Sequence, residues 1–284
     1  MKKFLLIGRN GQVGWELQRT LAPLGEVVAL DRTALDLSDA AAIRATVRAM
    51  RPDLIVNAAA YTAVDQAEAD SDLAMLINGQ APGVMAEEAK KLGAMMVHFS
   101  TDYVFDGTKD TAYDEDDQPN PINAYGRSKL AGEKAIQAVG CRHLIFRTSW
   151  VYGLRGKNFL RTILRLAEER EELRIIDDQI GAPTWSRMIA ESTAFICAQK
   201  TPQEGLYHLA CNGAASWHGF AQAILDLTRH LRTREPTLLA IPARDYPLPA
   251  LRPLNSRLAC DRLKREAEII LPDWKQALSL CLEP

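Results

Sequence analysis

The chain has 284 residues, of which 47% are apolar and 25% charged, and carries a formal net charge of −2. That length suits one large domain or two small ones and can bury a sizeable core. A near-neutral balance without a basic run argues against nucleic acid or an anionic membrane surface as partner. The five cysteines (Cys141, Cys197, Cys211, Cys260 and Cys281) are scattered, odd in number and free of any C-x-x-C pair, so neither a disulfide framework nor a zinc site is expected. The apolar run Phe4–Ile7 stops at Gly8, too short for a signal-peptide core. No run approaches the ~20 apolar residues of a membrane helix. The cytoplasm is the expected compartment.

In chain order, short apolar runs alternate with longer amphipathic stretches. Strands are predicted at Phe4–Ile7, Val27–Leu30, Leu54–Asn57, Met95–Ser100 and Leu144–Thr148. Helices are predicted at Gly11–Leu21, from a Ser38 cap to Met50, at Asp72–Leu92 with an interruption near Gly79 and Pro82, and at Asn123–Val139. Helix Asn158–Glu169, strand Leu173–Ile176, helix Ser186–Gln199 and strand Leu206–Ala210 follow. Such alternation implies βαβ units, a doubly wound parallel sheet of the α/β Rossmann class, and helices on both faces. After about residue 150 the pattern loosens and proline becomes common. Residues 1–150 are therefore expected to form a dinucleotide-binding domain and 151–284 mainly a smaller substrate-binding lobe, with later strands returning to the first sheet.

Gly8-Arg9-Asn10-Gly11-Gln12-Val13-Gly14 spells G-x-x-G-x-x-G between the first strand and the first helix. In such a turn the first glycine bends off the strand, the second admits a pyrophosphate and the third lets the helix pack on the sheet. The free N–H groups of the helix N-terminus suit an anion. Asp31, ending the second strand, stands where a carboxylate can accept from an adenosine ribose. Asp36 and Leu37 could flank the adenine, and Ala58-Ala59-Ala60 after the third strand leaves room for a ligand. Asp31 should repel a 2′-phosphate and neighbouring Arg32 attract one, so NADPH and NADH both remain open.

Tyr125 and Lys129, four apart in a predicted helix, share one face. Ketone reduction needs a hydride at carbon and a proton at oxygen. A phenol can give that proton, and a nearby ammonium would lower its pKa of about 10. Tyr125 is thus the expected general acid and Lys129 its tuner and ribose contact. Thr101, in Ser100-Thr101-Asp102-Tyr103 after the fourth strand, could hydrogen-bond the substrate oxygen. Trp150 follows the fifth strand, where an indole could pack on a sugar. Asn158, Arg252, Asn255 and Arg257 could meet a nucleotide diphosphate or make local contacts.

These residues resemble the extended branch of the short-chain dehydrogenase/reductase superfamily, and within it the dTDP-4-dehydrorhamnose reductases. The resemblance rests on GRNGQVGWELQ (Gly8–Gln18), NAAAYTAVD (Asn57–Asp65), STDYVF (Ser100–Phe105), YGRSKLAGEK (Tyr125–Lys134), FRTSWVY (Phe146–Tyr152), DDQIGAPT (Asp177–Thr184) and RPLNSRL (Arg252–Leu258). It implies NADPH or NADH held by Gly11, Gln12, Val13, Asp31, Asp36, Leu37, Ala60, Tyr61, Thr62 and Phe99, with Tyr125 and Lys129 also touching it. It implies a catalytic set of Thr101, Tyr125 and Lys129, and substrate contacts from Thr101, Asp102 and Trp150. The implied reaction is reduction of a nucleotide-linked 4-keto sugar. A homodimer with magnesium held by glutamates at the dimer interface is also implied. Glu16 and Glu191 are conceivable ligands, and the metal residues stay unassigned. Two other readings share the fold: a non-catalytic NADP-binding regulatory subunit of an S-adenosylmethionine synthetase, and another nucleotide-sugar enzyme such as an epimerase. The intact Thr101, Tyr125 and Lys129 set favours the reductase.

Overall fold

The structure, a computed structural model, describes residues 1–199 and 203–283. Five strands alternate with helices as expected: β1 (Lys2–Ile7), β2 (Gly25–Leu30), β3 (Leu54–Asn57), β4 (Met95–Thr101) and β5 (His143–Thr148). A sixth, β6 (Gly205–His208), joins them from the second half of the chain. The sheet order is β6-β5-β4-β3-β1-β2, and every pairing is parallel. The chain therefore winds outward from β1 to β2, then returns to β3 and winds the other way. The carboxyl ends of β1 and β3 flank that reversal, where open α/β sheets leave a crevice for a ligand.

Side chains alternate across each strand, so both faces of the sheet must be covered. Leu5, Ile7, Ile55, Met96 and Ile145 pack beneath helices α2 (Ala40–Met50), α3 (Ala81–Leu92) and α4 (Ala124–Val139), meeting Ile43, Val47, Met85 and Ile136. On the opposite face Phe4, Leu6, Val56, Val97 and Phe146 meet Leu17 of helix α1 (Gln12–Thr20), Leu160 and Ile163 of α5 (Phe159–Glu169) and Ile189 of α6 (Ser186–Ala198). That second core runs on without a break into Phe220 of α7 (Trp217–Leu227), Leu263 of α8 (Asp261–Ala267) and Leu278 of α9 (Trp274–Leu282).

Three local details differ from the sequence expectation. Asp39, not Ser38, caps α2, accepting from the N–H groups of Ala41 and Ala42 at 2.8 and 2.9 Å. The long helix expected over Asp72–Leu92 divides into a helical turn Ser71–Ala74, a π-helical segment Met75–Gln80 and then α3. Pro82 lacks an N–H and so sits at the start of α3. Strand Glu172–Ile176 lies outside the main sheet and pairs in parallel with Thr237–Ile241, a strand the loop-rich composition had hidden. No helix among the described residues is long and apolar enough to cross a membrane.

Candidate active site

A cleft of about 570 Å³ opens over the reversal point of the sheet. Its wall contains Gly8, Gly11, Gln12 and Val13 from the β1 turn, Asp31, Asp36 and Leu37 from the segment after β2, and Ala60, Tyr61 and Thr62 from the segment after β3. Phe99, Tyr125 and Lys129 complete it. Of the sequence-predicted cofactor residues only Gly14 lies outside the wall. Arg32, Leu35, Ile77 and Lys157 also line it and were not singled out as contacts from sequence, apart from Arg32 as a charge. Thr101, Asp102 and Trp150 do not line the cleft. They follow directly on the wall residue Ser100 or precede the wall residue Val151.

The three glycines do different work. Gly8 has φ +92°, and a Cβ there would lie 2.6–2.8 Å from the Ala58 and Ala59 backbone. A Cβ on Gly14 would sit 2.1 Å from the Gly8 carbonyl oxygen, so Gly14 lets α1 start tight against the strand. Gly11 is different. Its Cβ would meet only the carbonyl oxygens of Gly8 and Ala58, at 3.3 and 3.9 Å, and its φ of −72° suits any residue. Protein packing does not require glycine at 11, and the space beside it belongs to the cleft. Gly11 also occupies the N-cap of α1 with no side-chain cap, leaving first-turn N–H groups for a ligand.

Asp31 is held where β2 ends. Its Oδ1 accepts from the Thr33 hydroxyl at 2.7 Å and from the N–H groups of Thr33 and Ala34, and its Oδ2 accepts from Asn10. Those donors, the Thr33 hydroxyl first, hold the carboxyl below its usual range and keep it ionised. Asp36 is likewise fixed by Ser38.

Asn123 caps α4 through the Gly126 N–H at 2.7 Å. Gly126 permits the helix to lie on the loop after β4, since a Cβ there would be 2.1 Å from the Tyr103 carbonyl. Tyr125 and Lys129 then face the cleft one turn apart. Burial pushes the Tyr125 phenol up to about 12, and the Thr101 hydroxyl beside it partly offsets this. The expected depression by Lys129 does not occur. The Lys129 Nζ is turned to the Phe99 carbonyl at 2.5 Å and to His98 Nε2 at 3.2 Å. Lys129 itself is buried, and desolvation brings its ammonium down to about 8 against an opposing pull from Glu133.

Asp102 is buried and wrapped in hydroxyls. Thr101 donates to Oδ1 at 3.0 Å and Ser149 to Oδ2 at 3.1 Å, with the Ser256 side chain close by. Burial nonetheless lifts its carboxyl to about 6. These contacts tie β4, the end of β5 and the Arg252–Leu258 segment together. Arg252 belongs to the same seam: it forks onto Asp65 at 2.9 and 2.7 Å and lies close to the Tyr103 phenol. Asn255 donates to the carbonyls of Lys109 and Thr111 and accepts from Arg257. Asn158 caps α5 and donates to Gln12 Oε1 at 2.9 Å. Trp150 adopts φ +46°, a region unfavourable to a bulky residue, and stacks on Trp217 with ring centroids 3.4 Å apart. Strained backbone of this kind is concentrated at functional sites.

Some positioning residues escaped the sequence reading. Asn78, in the π-helical segment, accepts from the Tyr61 N–H at 2.8 Å and donates to the Tyr61 carbonyl and the Ser128 hydroxyl, both at 3.0 Å. It thereby fixes the Ala60–Thr62 wall to α4, which carries Tyr125 and Lys129. Its only sequence signal was the Gly79–Pro82 break, and π segments often mark such sites. Glu133 forms a buried pair with Arg147 at 2.7 Å and accepts from Ser100.

Glu16 and Glu191 lie near one another, but Glu16 is paired with Arg187 at 3.4 Å. Among the described residues no group of three or more His, Cys, Asp or Glu side chains could hold a metal ion. The residues of one chain therefore do not fit a magnesium site, and no step below passes through one. The cleft does fit a dinucleotide, with its unfilled space at Gly11 and uncapped α1.

The sequence matches the RmlD substrate binding domain family over residues 1–284. It is 50% identical to the dTDP-4-dehydrorhamnose reductase of Burkholderia thailandensis, covering 99% of this chain and 98% of that one. It is 46% identical to that of Escherichia coli strain K12, covering 95% and 94%. Among solved structures, dTDP-4-dehydrorhamnose reductase from Bacillus anthracis in complex with NADP superposes with a TM-score of 0.93 at 34% identity, covering 99% and 98%. Thermus thermophilus UDP-glucose 4-epimerase with NAD shares the fold, with a TM-score of 0.82 at 19% identity and 98% and 97% coverage. With the glycine turn, the Tyr125–Lys129 helix and near-complete coverage by these relatives, the chain belongs to the dTDP-4-dehydrorhamnose reductase family.

Proposed function

We propose that this chain reduces the 4-keto group of dTDP-4-dehydro-L-rhamnose, giving dTDP-L-rhamnose, with NADPH as reductant. The observation that carries the reading is one cleft that joins the open glycine turn of β1 to the Tyr125 phenol, with Thr101 at its side. NADPH bound there would supply the hydride for the carbonyl carbon. Gly11 and the first-turn amides of α1 hold the pyrophosphate. Asp31 orients the adenosine ribose, and Arg32 favours a 2′-phosphate. Ala60, Tyr61, Thr62 and Phe99 shape the wall. Lys129 grips the nicotinamide ribose.

Tyr125 acts as general acid. As the carbonyl π pair moves onto oxygen, the phenol proton transfers to that oxygen, and the phenolate is later reprotonated from solvent. A phenol pushed up to about 12 is fully protonated at neutral pH, as an acid must be. The resulting phenolate then depends on the Lys129 ammonium for stabilisation. Trp150, propped on Trp217, offers an apolar face to the sugar. Asp102 orients the Thr101 hydroxyl beside the reacting oxygen. A homodimer working in the cytoplasm is the matching cellular form, checked by light scattering and fractionation.

The test supplies the keto sugar nucleotide and follows loss of reduced-nicotinamide absorbance. Tyr125→Phe is expected to lower kcat at least ~100-fold while leaving NADPH affinity within about twofold. A Tyr125→Phe enzyme running at full rate refutes the assignment.

A further inference from the structure

One face of β4 carries His98 and Ser100, and alternation points both at α4. His98 is wholly buried and lies between Lys129 of α4 and Asn57 of β3. The register places Asn57 opposite His98 across the β3–β4 ladder. Three contacts form a chain: Ala59 N–H to Asn57 Oδ1 at 3.2 Å, Asn57 Nδ2 to His98 Nδ1 at 3.2 Å, and His98 Nε2 to Lys129 Nζ at 3.2 Å. The mechanism above uses neither His98 nor Asn57.

The proton positions follow from the first contact. A backbone N–H can only donate, so the Asn57 oxygen must face Ala59 and its NH₂ must face His98. That NH₂ donates to Nδ1, which therefore carries no proton. A neutral imidazole then bears its proton on Nε2. The Nε2–H points at Nζ, and an ammonium has no lone pair to receive it. An amine does, and it still has hydrogens for the Phe99 carbonyl at 2.5 Å. A charged imidazole is ruled out by burial beside Lys129, which holds His98 well below its usual range.

We propose that His98, locked by Asn57 as its Nε2–H tautomer, is a positioning residue that favours the uncharged amine of Lys129 in the cleft, so that NADPH binding in mildly alkaline solution is coupled to uptake of a proton by Lys129. The step is a simple protonation: a water or buffer proton adds to the Nζ lone pair as the side chain leaves Nε2–H for the cofactor's ribose and the field of its phosphates. The groups facing this pair are Tyr125 and Glu133 from α4, Ser100 from β4 itself, Arg147 from β5, paired to Glu133, and Asn57 from β3. Glu133, itself paired with Arg147, and the Phe99 carbonyl favour the ammonium, while burial favours the amine.

This inference rests on the NADPH reading, and the test separates the two. Calorimetric titration of the full chain with NADPH at pH 8.5, in two buffers of different ionisation enthalpy, counts protons taken up. With the cofactor-free ammonium near 8 and the bound one restored toward about 10.4, uptake is expected to be about three quarters of a proton. His98→Leu, which removes the donor, is expected to cut that to about a third or less. Heteronuclear NMR of labelled histidine in the unaltered protein supplies a check that needs no variant: the Nε2–H tautomer should persist from pH 6 to 9. Tight NADPH binding with no proton uptake, uptake unchanged in a folded His98→Leu, or an Nδ1–H tautomer each overturns the proposal. Failure to bind NADPH at all would instead overturn the cofactor reading.

Discussion

Gly11→Ala should separate ligand binding from folding at the glycine turn. The added methyl meets protein only at the carbonyl oxygens of Gly8 and Ala58, 3.3 and 3.9 Å away. Alanine is a poorer N-cap than glycine by a few tenths to about 1 kcal/mol. It also narrows the unfolded ensemble, which returns about 0.4–1 kcal/mol at a φ it can adopt. The two effects nearly cancel, so the melting temperature should move by no more than a few degrees. On the cleft side the same methyl stands where a pyrophosphate must approach a backbone N–H. Loss of one hydrogen bond to a charged group costs about 1.5–3 kcal/mol, or about 10- to 150-fold in Kd. Gly14→Ala is the control. Its methyl would overlap the Gly8 carbonyl at 2.1 Å, between backbone atoms that cannot give way. About 3 kcal/mol or more of overpacking is expected there, with a melting temperature lower by roughly 10 °C. Fluorescence titration with NADPH and thermal melts measure both. A Gly11→Ala protein that binds NADPH at full affinity would show that the pyrophosphate does not pass over Gly11.

Other outcomes follow from the same geometry. Arg32→Ala should weaken NADPH about tenfold and leave NADH nearly unchanged, because Asp31 remains to repel a 2′-phosphate; equal losses for the two cofactors would remove Arg32 from that role. Glu133→Ala strands a buried Arg147 guanidinium and should cost about 3–5 kcal/mol in urea melts, with Glu133→Gln milder. Asp102 has its carboxyl raised to about 6, so the folded chain keeps a proton that the unfolded chain releases near pH 4. Its contribution is present in full below about pH 4 and is lost as pH rises from there through about 6, about 3 kcal/mol in all. Asp102→Asn should flatten that part of the stability profile; an unchanged profile would place the titration elsewhere.

The parallel sheet was legible because each buried strand is a short apolar run between helices of 3.6-residue period. The glycine turn was legible because its spacing sits where a strand meets a helix. What stayed hidden depends on neighbours distant in sequence. Asn57 and His98 read as ordinary polar residues at the ends of apolar runs. Only the β3–β4 register brings them together, and only α4 adds Lys129. Lysine spacing showed that Lys129 shares a face with Tyr125, but could not show that its amine turns away toward the strand. Arg252 looked free for a diphosphate because its partner Asp65 is remote in the chain. The strand Thr237–Ile241 was masked because its short apolar run is largely exposed and leads into a proline-rich stretch, and α9 by the short chain remaining after Pro272.

The outermost strand β6 has a consequence for anyone who would exchange the two halves of this molecule. It pairs with β5 along Leu144–Arg147, yet it is encoded far along the second half of the chain. A fragment severed near residue 150 would leave those backbone groups bare, a template onto which another copy could zip. A transplanted C-terminal half must therefore bring a matching ribbon with it, and breakpoints in chimaeras between relatives should survive after His208 more readily than between β5 and β6.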